Sequence, residues 1–549
     1  MRTNSRGSQL YSIRDFTGGI NLTTDAFKLA ENESPDAQNV DFDRRGGFQV
    51  RRGVTPFSTT SLGGTAPNTI WLYNYLGTVY TMVQIGAIIY QGTGTTWTAV
   101  GSNLGSATQT VQAVTFNNYS YWVRGNADVV RSAGLTPTTM GVAFNNTTSP
   151  PIPTSGNVPR AEHIAVHSGY MWVANTWESG TNYPNRIRFS WANTFNDSGE
   201  NWDVDDYIDI DDGKDSDEIT AIVPHGDQLI VFKRNSVYVV YGYDGPSFTV
   251  TNISNTVGAV SRAAAVDTPA GLFFFDHANG INAYERGSIR QFFTQIEPAL
   301  RDGDIPKALV DNVQIAWINN RLWVSVPWTD EPTAPRGATF VLDPSLKSGG
   351  SWTKYSLKLG PYATGARTNE YLAYIHNTNR VFKLDVNDQY FDNFGPVLGI
   401  ETIDAYYRTR WVDLNEPAIK KRWRRTEVLM QVDQGYELPV ISYSDYDPTV
   451  TVKNFKFNAV PSVSGANDAI WDDPDSDWVS PSINPGATKW ARSGTYAYVD
   501  RGSTLGIARS VSLKVGGQVL TLAEPGEAQA PVFWGVDALI FKYVPRRVR

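Results

Sequence analysis

The chain has 549 residues, too many for one ordinary hydrophobic core, so two or three domains are expected. Its formal net charge is -8, which argues against a nucleic-acid binder as a whole. With no cysteine it has no disulfide, thiolate metal site or cysteine nucleophile.

Met1 to Gln9 is polar with no apolar stretch behind it, so no secretory signal is expected there. The most apolar run, Val79 to Tyr90, is interrupted by Thr81, Gln84 and Gly86 and falls short of a membrane span. The expectation is synthesis in the cytoplasm.

Residues 1–60 lack regular periodicity and read as an extended N-terminal arm or platform segment. Gly18-Gly19 predicts a turn, and Ser34-Pro35 followed by Asp36 and Ala37 predicts the opening of one helical turn. So irregular a segment gains little from a core of its own. Both chain ends are therefore expected to be held by neighbouring molecules. Removal of residues 1–53 is then expected to abolish assembly and leave the propeller folded.

Residues 61–395 carry a repeat. A turn residue is followed by alternating large apolar residues, a second turn and another apolar strand. Copies begin near Gly77, Asn118, Gly169, Asp227, Gly271, Asn320 and Glu370. Their spacing, roughly 40 to 60 residues, is that of four-stranded propeller blades. The clearest copy predicts strands over Ile219 to Pro224, Leu229 to Lys233 and Val237 to Tyr243. The fold class is all-β: a β-propeller of about seven blades, with Asn175 to Asp203 as a possible long loop. A large β-sandwich is the competing reading. Glu297 to Leu309 offers short helical connectors at best.

Residues 396–549 change character, with strand-like runs at Ile403 to Val412, Arg425 to Val432, Thr449 to Phe457, Gly506 to Val515 and Val532 to Val544. A polar loop, Pro461 to Pro485, interrupts them. This reads as an antiparallel sandwich-like platform domain, completed by the N-terminal segment.

Constellations that could carry chemistry are few. Asp205, Asp206, Asp209, Asp211, Asp212, Asp215 and Asp217 crowd into one loop. Calcium could sit among such oxygens, but with Gly213 at the sixth place of an EF-hand loop, Ile208 and Ile210 occupy ligand positions. A solvated loop, or a negative rim facing a channel or an interface, is the simpler reading. A glycosidase needs two carboxylates at a set separation, and 55 acidic residues make some such pair inevitable. His163 and His167 have metal-like spacing only on a helix, whereas their segment reads as strand, and neither an HExxH pattern nor a GxSxG elbow is present. No catalytic residue, cofactor site or metal site is assigned, and the chain is expected not to be an enzyme. Two basic clusters remain: Lys420, Lys421, Arg422, Arg424 and Arg425, and Arg546, Arg547 and Arg549 at the terminus. In an acidic protein they suggest inter-subunit patches that dock on acidic surfaces, with a plain solvated face and nucleic-acid contact as the other readings.

The motifs add a resemblance. Phe16-Thr17-Gly18-Gly19-Ile20-Asn21, Asn39-Val40-Asp41 and Arg51-Arg52-Gly53 resemble the opening of tailed-bacteriophage virion proteins. Asp212-Gly213, Glu218 to Ile222, Leu229 to Lys233 and Val237-Tyr238 resemble their propeller, as do Gly258 and Gly280-Ile281. Ile403 to Arg425 resembles the strand pair that follows it. The resemblance implies a tail nozzle or hub protein in the virion, six copies or three in a ring around the DNA-ejection channel. Adaptor, tail tube and fibres would be its neighbours, and viral DNA would pass without specific binding. It carries over no catalytic residue. The alternative is a minor tail-tip or host-receptor protein that binds a surface glycan through aromatics such as Trp177, Tyr183, Trp328 and Tyr407.

Overall fold

The structure is a computed structural model that describes residues 8–545 apart from 64–65, 102–103, 105–108, 142–156, 193–199, 211–216, 293, 302–304, 328–336, 347–348, 366–369, 397–398, 433–435, 460–495 and 518–532. It is all-β, built largely from small four-stranded antiparallel sheets of the kind that make propeller blades.

Turn chemistry sets the strand lengths. Asn117-Asn118 and Asn319-Asn320 both hold positive φ at two successive residues, the geometry a tight two-residue hairpin demands. Between such turns, apolar residues run through strands that are covered on both faces. All six residues of Gly271–Asp276 are buried.

The meanders begin with Thr69–Tyr75, Gln112–Phe116, Arg160–His167, Ile219–His225, Ala265–Thr268, Gln314–Ile318 and Leu359–Gly365. The first strand of each lies against the first strand of the next, and Leu359–Gly365 lies against Thr69–Tyr75. Apolar clusters fill the spaces between successive sheets. Phe232 and Val223 pack with Phe274 and Leu272 across one such boundary, and Tyr374 and Val381 pack with Ile70 and Val83 across another. No single sheet buries its own faces. Burial comes from stacking.

The last meander takes its fourth strand from far away: Thr55–Pro56 pairs antiparallel with Arg380–Lys383. The meander from Gln314–Ile318 to Ser351–Tyr355 does not end at its fourth strand. It continues through Asp36–Gln38, Tyr406–Arg408, Val511–Gly516 and Tyr436–Ser444 to Asp447–Ala459, a sheet of nine strands. A second C-terminal sheet runs Tyr496–Ala508, Lys421–Val432, Trp534–Pro545, Phe48–Val50, Val40–Phe42, with Gln9–Ile13 paired to Trp534–Pro545.

Three expectations are corrected. Ser34-Pro35 opens no helical turn. Glu33–Ser34 and Asp36–Gln38 are strands, because Asp36–Gln38 is drawn between Ser351–Tyr355 and Tyr406–Arg408. Thr181–Phe189, inside the stretch read as a possible loop, is a nine-residue strand. Residues 9–56 are not a detachable arm. Phe16, Ile20, Val40, Phe48 and Val50 are core residues packed with Phe340 and Trp534, so removal of 1–53 would open that core. The outermost residues, 1–7 and 546–549, lie outside the described ones.

Candidate functional site

Three places concentrate charged and polar side chains: the seam between N-terminal and C-terminal segments, the acidic and basic runs singled out above, and a cavity lined by the first strands of the meanders.

The seam is built on Asn39 and Arg51. Asn39 is buried with φ of 55°, a left-handed conformation that asparagine tolerates better than most residues. Its amide donates to Ser356 Oγ at 2.9 Å and the Asp404 carbonyl at 2.8 Å. Its carbonyl oxygen accepts from Arg51 Nε at 3.0 Å. The Arg51 guanidinium, 1% exposed, then grips both carboxylate oxygens of Asp392 at 2.9 and 2.5 Å. Burial opposes its charge, but Asp392 overcomes this and holds its pKa above the usual value. Beside it, Arg321 donates to Asp41 Oδ1 at 2.6 Å, Tyr355 Oη at 2.9 Å and Asp385 Oδ1 at 3.1 Å. A Cβ on Gly53 would lie 1.7 Å from the Phe391 carbonyl oxygen, so only glycine fits there. Phe16 meets Phe48 and Tyr407 edge-on at 5.0 and 5.2 Å, and Phe48 stacks on Tyr407 at 4.8 Å. The three N-terminal motifs therefore all lie in this seam.

In the acidic run, Asp209 receives Arg186 through two bonds of 2.7 and 2.8 Å. Arg186 lies between the rings of Tyr183 and Tyr207, at 4.0 and 3.9 Å. Asp217 accepts from the Asn235 backbone and side chain at 2.8 and 3.1 Å. Asp205 is exposed and Asp206 half-buried. Burial pushes the Asp206 carboxyl up to about 6, reinforced by Asp203 and opposed by Arg188. Asp211, Asp212 and Asp215 lie outside the described residues. Among the described residues, no group of three or more His, Cys, Asp or Glu side chains is arranged to hold a metal.

The basic run lies on Lys421–Val432 and the residue before it. Lys420, Arg422 and Arg425 are exposed and Arg424 is half-buried. Lys421 is a correction. The strand alternation turns it inward, fully buried, where Nζ donates to the carbonyls of Glu416, Ile419 and Arg509 at 2.7, 3.1 and 3.3 Å. It serves the chain's own backbone and cannot reach a neighbour. Arg546, Arg547 and Arg549 lie outside the described residues.

Of the aromatics suggested for sugar stacking, Tyr407 is 1% exposed inside the seam, which removes it. Tyr183 already carries Arg186 on its ring, Trp177 is half-buried and Trp328 lies outside the described residues.

A cavity of about 1110 Å³ runs where the first strands converge, lined from each of the seven. Sequence reasoning missed it, because its lining comes two or three residues at a time from segments far apart in the chain. His163 borders it, with Nδ1 2.8 Å from Gln112 Nε2 and Nε2 2.9 Å from the Ile219 carbonyl. Burial pushes its pKa down to about 4. His163 and His167 lie on a strand, as the residue pattern predicts.

No family model and no curated protein matches the chain. Among solved structures it is similar to the computationally designed Ika8 protein, with a TM-score of 0.33 and 10% identity over 60% of this chain and 99% of that one. It is also similar to the extracellular domain of a protein named as a hybrid two-component system from B. thetaiotaomicron, with a TM-score of 0.36 and 10% identity. That match covers 74% of this chain and 46% of the other, so the chain spans about half of it. At these TM-scores neither likeness carries an argument. No helix among the described residues is long and apolar enough to cross a membrane.

Proposed function

We propose that the seven meanders are the blades of one closed propeller, and that the chain is a structural component of a bacteriophage tail. In this reading it is a nozzle or hub protein of the virion that forms a ring, of six copies or three, around the DNA-ejection channel. Adaptor, tail tube and fibre proteins are its neighbours. It performs no catalysis and needs no cofactor.

One observation carries the reading. The motifs that resemble tail proteins, Phe16 to Asn21, Asn39 to Asp41 and Arg51 to Gly53, all lie in the buried seam that stitches the N-terminal segment to the sheets. The resemblance is thus one of construction, which suits a part whose work is to hold its place under load. The net charge of -8 agrees with a wall that DNA passes without sticking.

The test is the native mass of the full chain, together with imaging of the particle that contains it. A closed ring with an axial channel supports the reading. A stable monomer absent from any such particle sinks it.

A further inference from the structure

Two glutamates stand together on the cavity wall without a cation. Glu162 lies on Arg160–His167 and Glu218 directly precedes Ile219–His225, the first strands of two neighbouring meanders. Both line the cavity, Glu162 half-buried and Glu218 exposed. The other carboxylates of the lining are matched, since Asp311 meets Arg234 at 2.8 Å and Asp267 meets His225 at 2.7 Å. The remaining arginine, Arg262, gives Nη1 to the Ala265 carbonyl at 2.9 Å. Among the described residues no lysine, arginine or histidine pairs with Glu162 or Glu218.

One amide joins the two. Asn175 Nδ2 lies 2.8 Å from Glu162 Oε2 and 3.3 Å from Glu218 Oε2. Asn175 is only 1% exposed, yet the other atom of its amide, Oδ1, has no partner. A buried carbonyl oxygen left alone is costly, and native structures rarely keep one. Burial, and then the Glu218 charge, push the Glu162 carboxyl above its ordinary value. Turning the amide over would put Oδ1 where Nδ2 stands, 2.8 and 3.3 Å from the two carboxylate oxygens. Oxygens so spaced are neighbours around a hard cation that binds each at about 2.3–2.6 Å.

We propose that Glu162, Glu218 and Asn175 bind one divalent cation of the calcium class at the cavity wall. The two carboxylates balance the charge of such an ion, the amide carbonyl gives a third oxygen, and water from the cavity completes the shell. The ion would tie the third meander to the fourth across their boundary. It takes part in no reaction, and the site is independent of whether the protein belongs to a tail.

Calorimetric titration of calcium into the full chain, first stripped with EDTA and dialysed, tests the site. A saturable binding event is expected in the unaltered chain and should be lost when Glu162→Gln and Glu218→Gln are combined. Asn175→Asp adds a third charge at a backbone φ of 54° that aspartate also tolerates, and should bind roughly tenfold tighter. Thermal unfolding gives a second readout. Calcium should raise the midpoint of the unaltered chain and leave the double glutamine variant unmoved. Without calcium that variant should be at least as stable as the unaltered chain, because the repulsion between the carboxylates is gone. Absence of saturable binding to the unaltered chain overturns the proposal. So does undiminished binding by the double variant, which would place the ion elsewhere.

Discussion

Arg51 and Asp392, 341 residues apart, form a bidentate ion pair that lies wholly inside the protein. It locks the N-terminal segment against the strand Phe391–Asn393 just past the last meander. Breaking one partner of such a pair leaves the other charge buried and alone, at a cost of about 3–5 kcal/mol. Arg51→Ala is therefore expected to lower the denaturant midpoint sharply. Replacing both partners with apolar residues of similar size should cost much less. Equal losses in the single and double variants would show that the pair is not what matters.

His163 gives the protein an acid limb. Its folded pKa, near 4, lies below the ordinary histidine value because burial disfavours the charged ring. The unfolded chain therefore binds the proton more readily between about 6.5 and 4, and stability falls as pH drops through that window. The full effect is of the order of 3 kcal/mol. Thermal unfolding followed from pH 7 to pH 4 should show a flatter slope in His163→Gln than in the unaltered chain.

Asp206 acts in the opposite sense. Its folded pKa, raised to about 6 by burial and then by Asp203, means that the folded state binds the proton more tightly than the unfolded chain. Its ionised form is destabilising at neutral pH, and stability recovers as pH falls from 6 towards 4. Asp206→Asn is expected to stabilise the protein above pH 6, by about 1 kcal/mol once the half-exposed position is discounted for screening. No gain should remain near pH 4. A gain that persists there would mean that the side chain acts through packing.

The exposed half of the basic run tests the assembly reading. Arg422 and Arg425 point outward from Lys421–Val432. Replacing both with glutamate should leave the unfolding midpoint within about 0.5 kcal/mol of its value, as surface changes usually do. It should also weaken assembly into the ring, measured by native mass. Unimpaired assembly would remove this face from the interface.

The sequence pattern makes local features legible and distant ones obscure. Strands Ile219–His225, Gln228–Lys233 and Val237–Tyr241 can be read directly, since Gly226 marks the turn and apolar runs mark the buried strands. Thr181–Phe189 is hidden because Arg186 and Arg188 stand where apolar residues would signal a strand, and their partners Asp209 and Glu178 are not adjacent in sequence. Ser34-Pro35-Asp36 carries a real local preference that two waiting strand edges override. The inward turn of Lys421 is consistent with alternation, yet a run of like charges masks it. Nothing near Arg51 in the chain announces Asp392.

The pairing of Thr55–Pro56 with Arg380–Lys383 also has a consequence in time. A ribosome adding roughly 5–20 residues each second leaves the first of these segments waiting on the order of tens of seconds for the second. Phe48–Val50 waits longer still, for Trp534–Pro545. Through that interval the nascent chain carries open strand edges and the unburied rings of Phe16 and Phe48. The yield of this protein in a cell will then depend on helpers that shield the growing chain, and slowing translation should lower the soluble fraction.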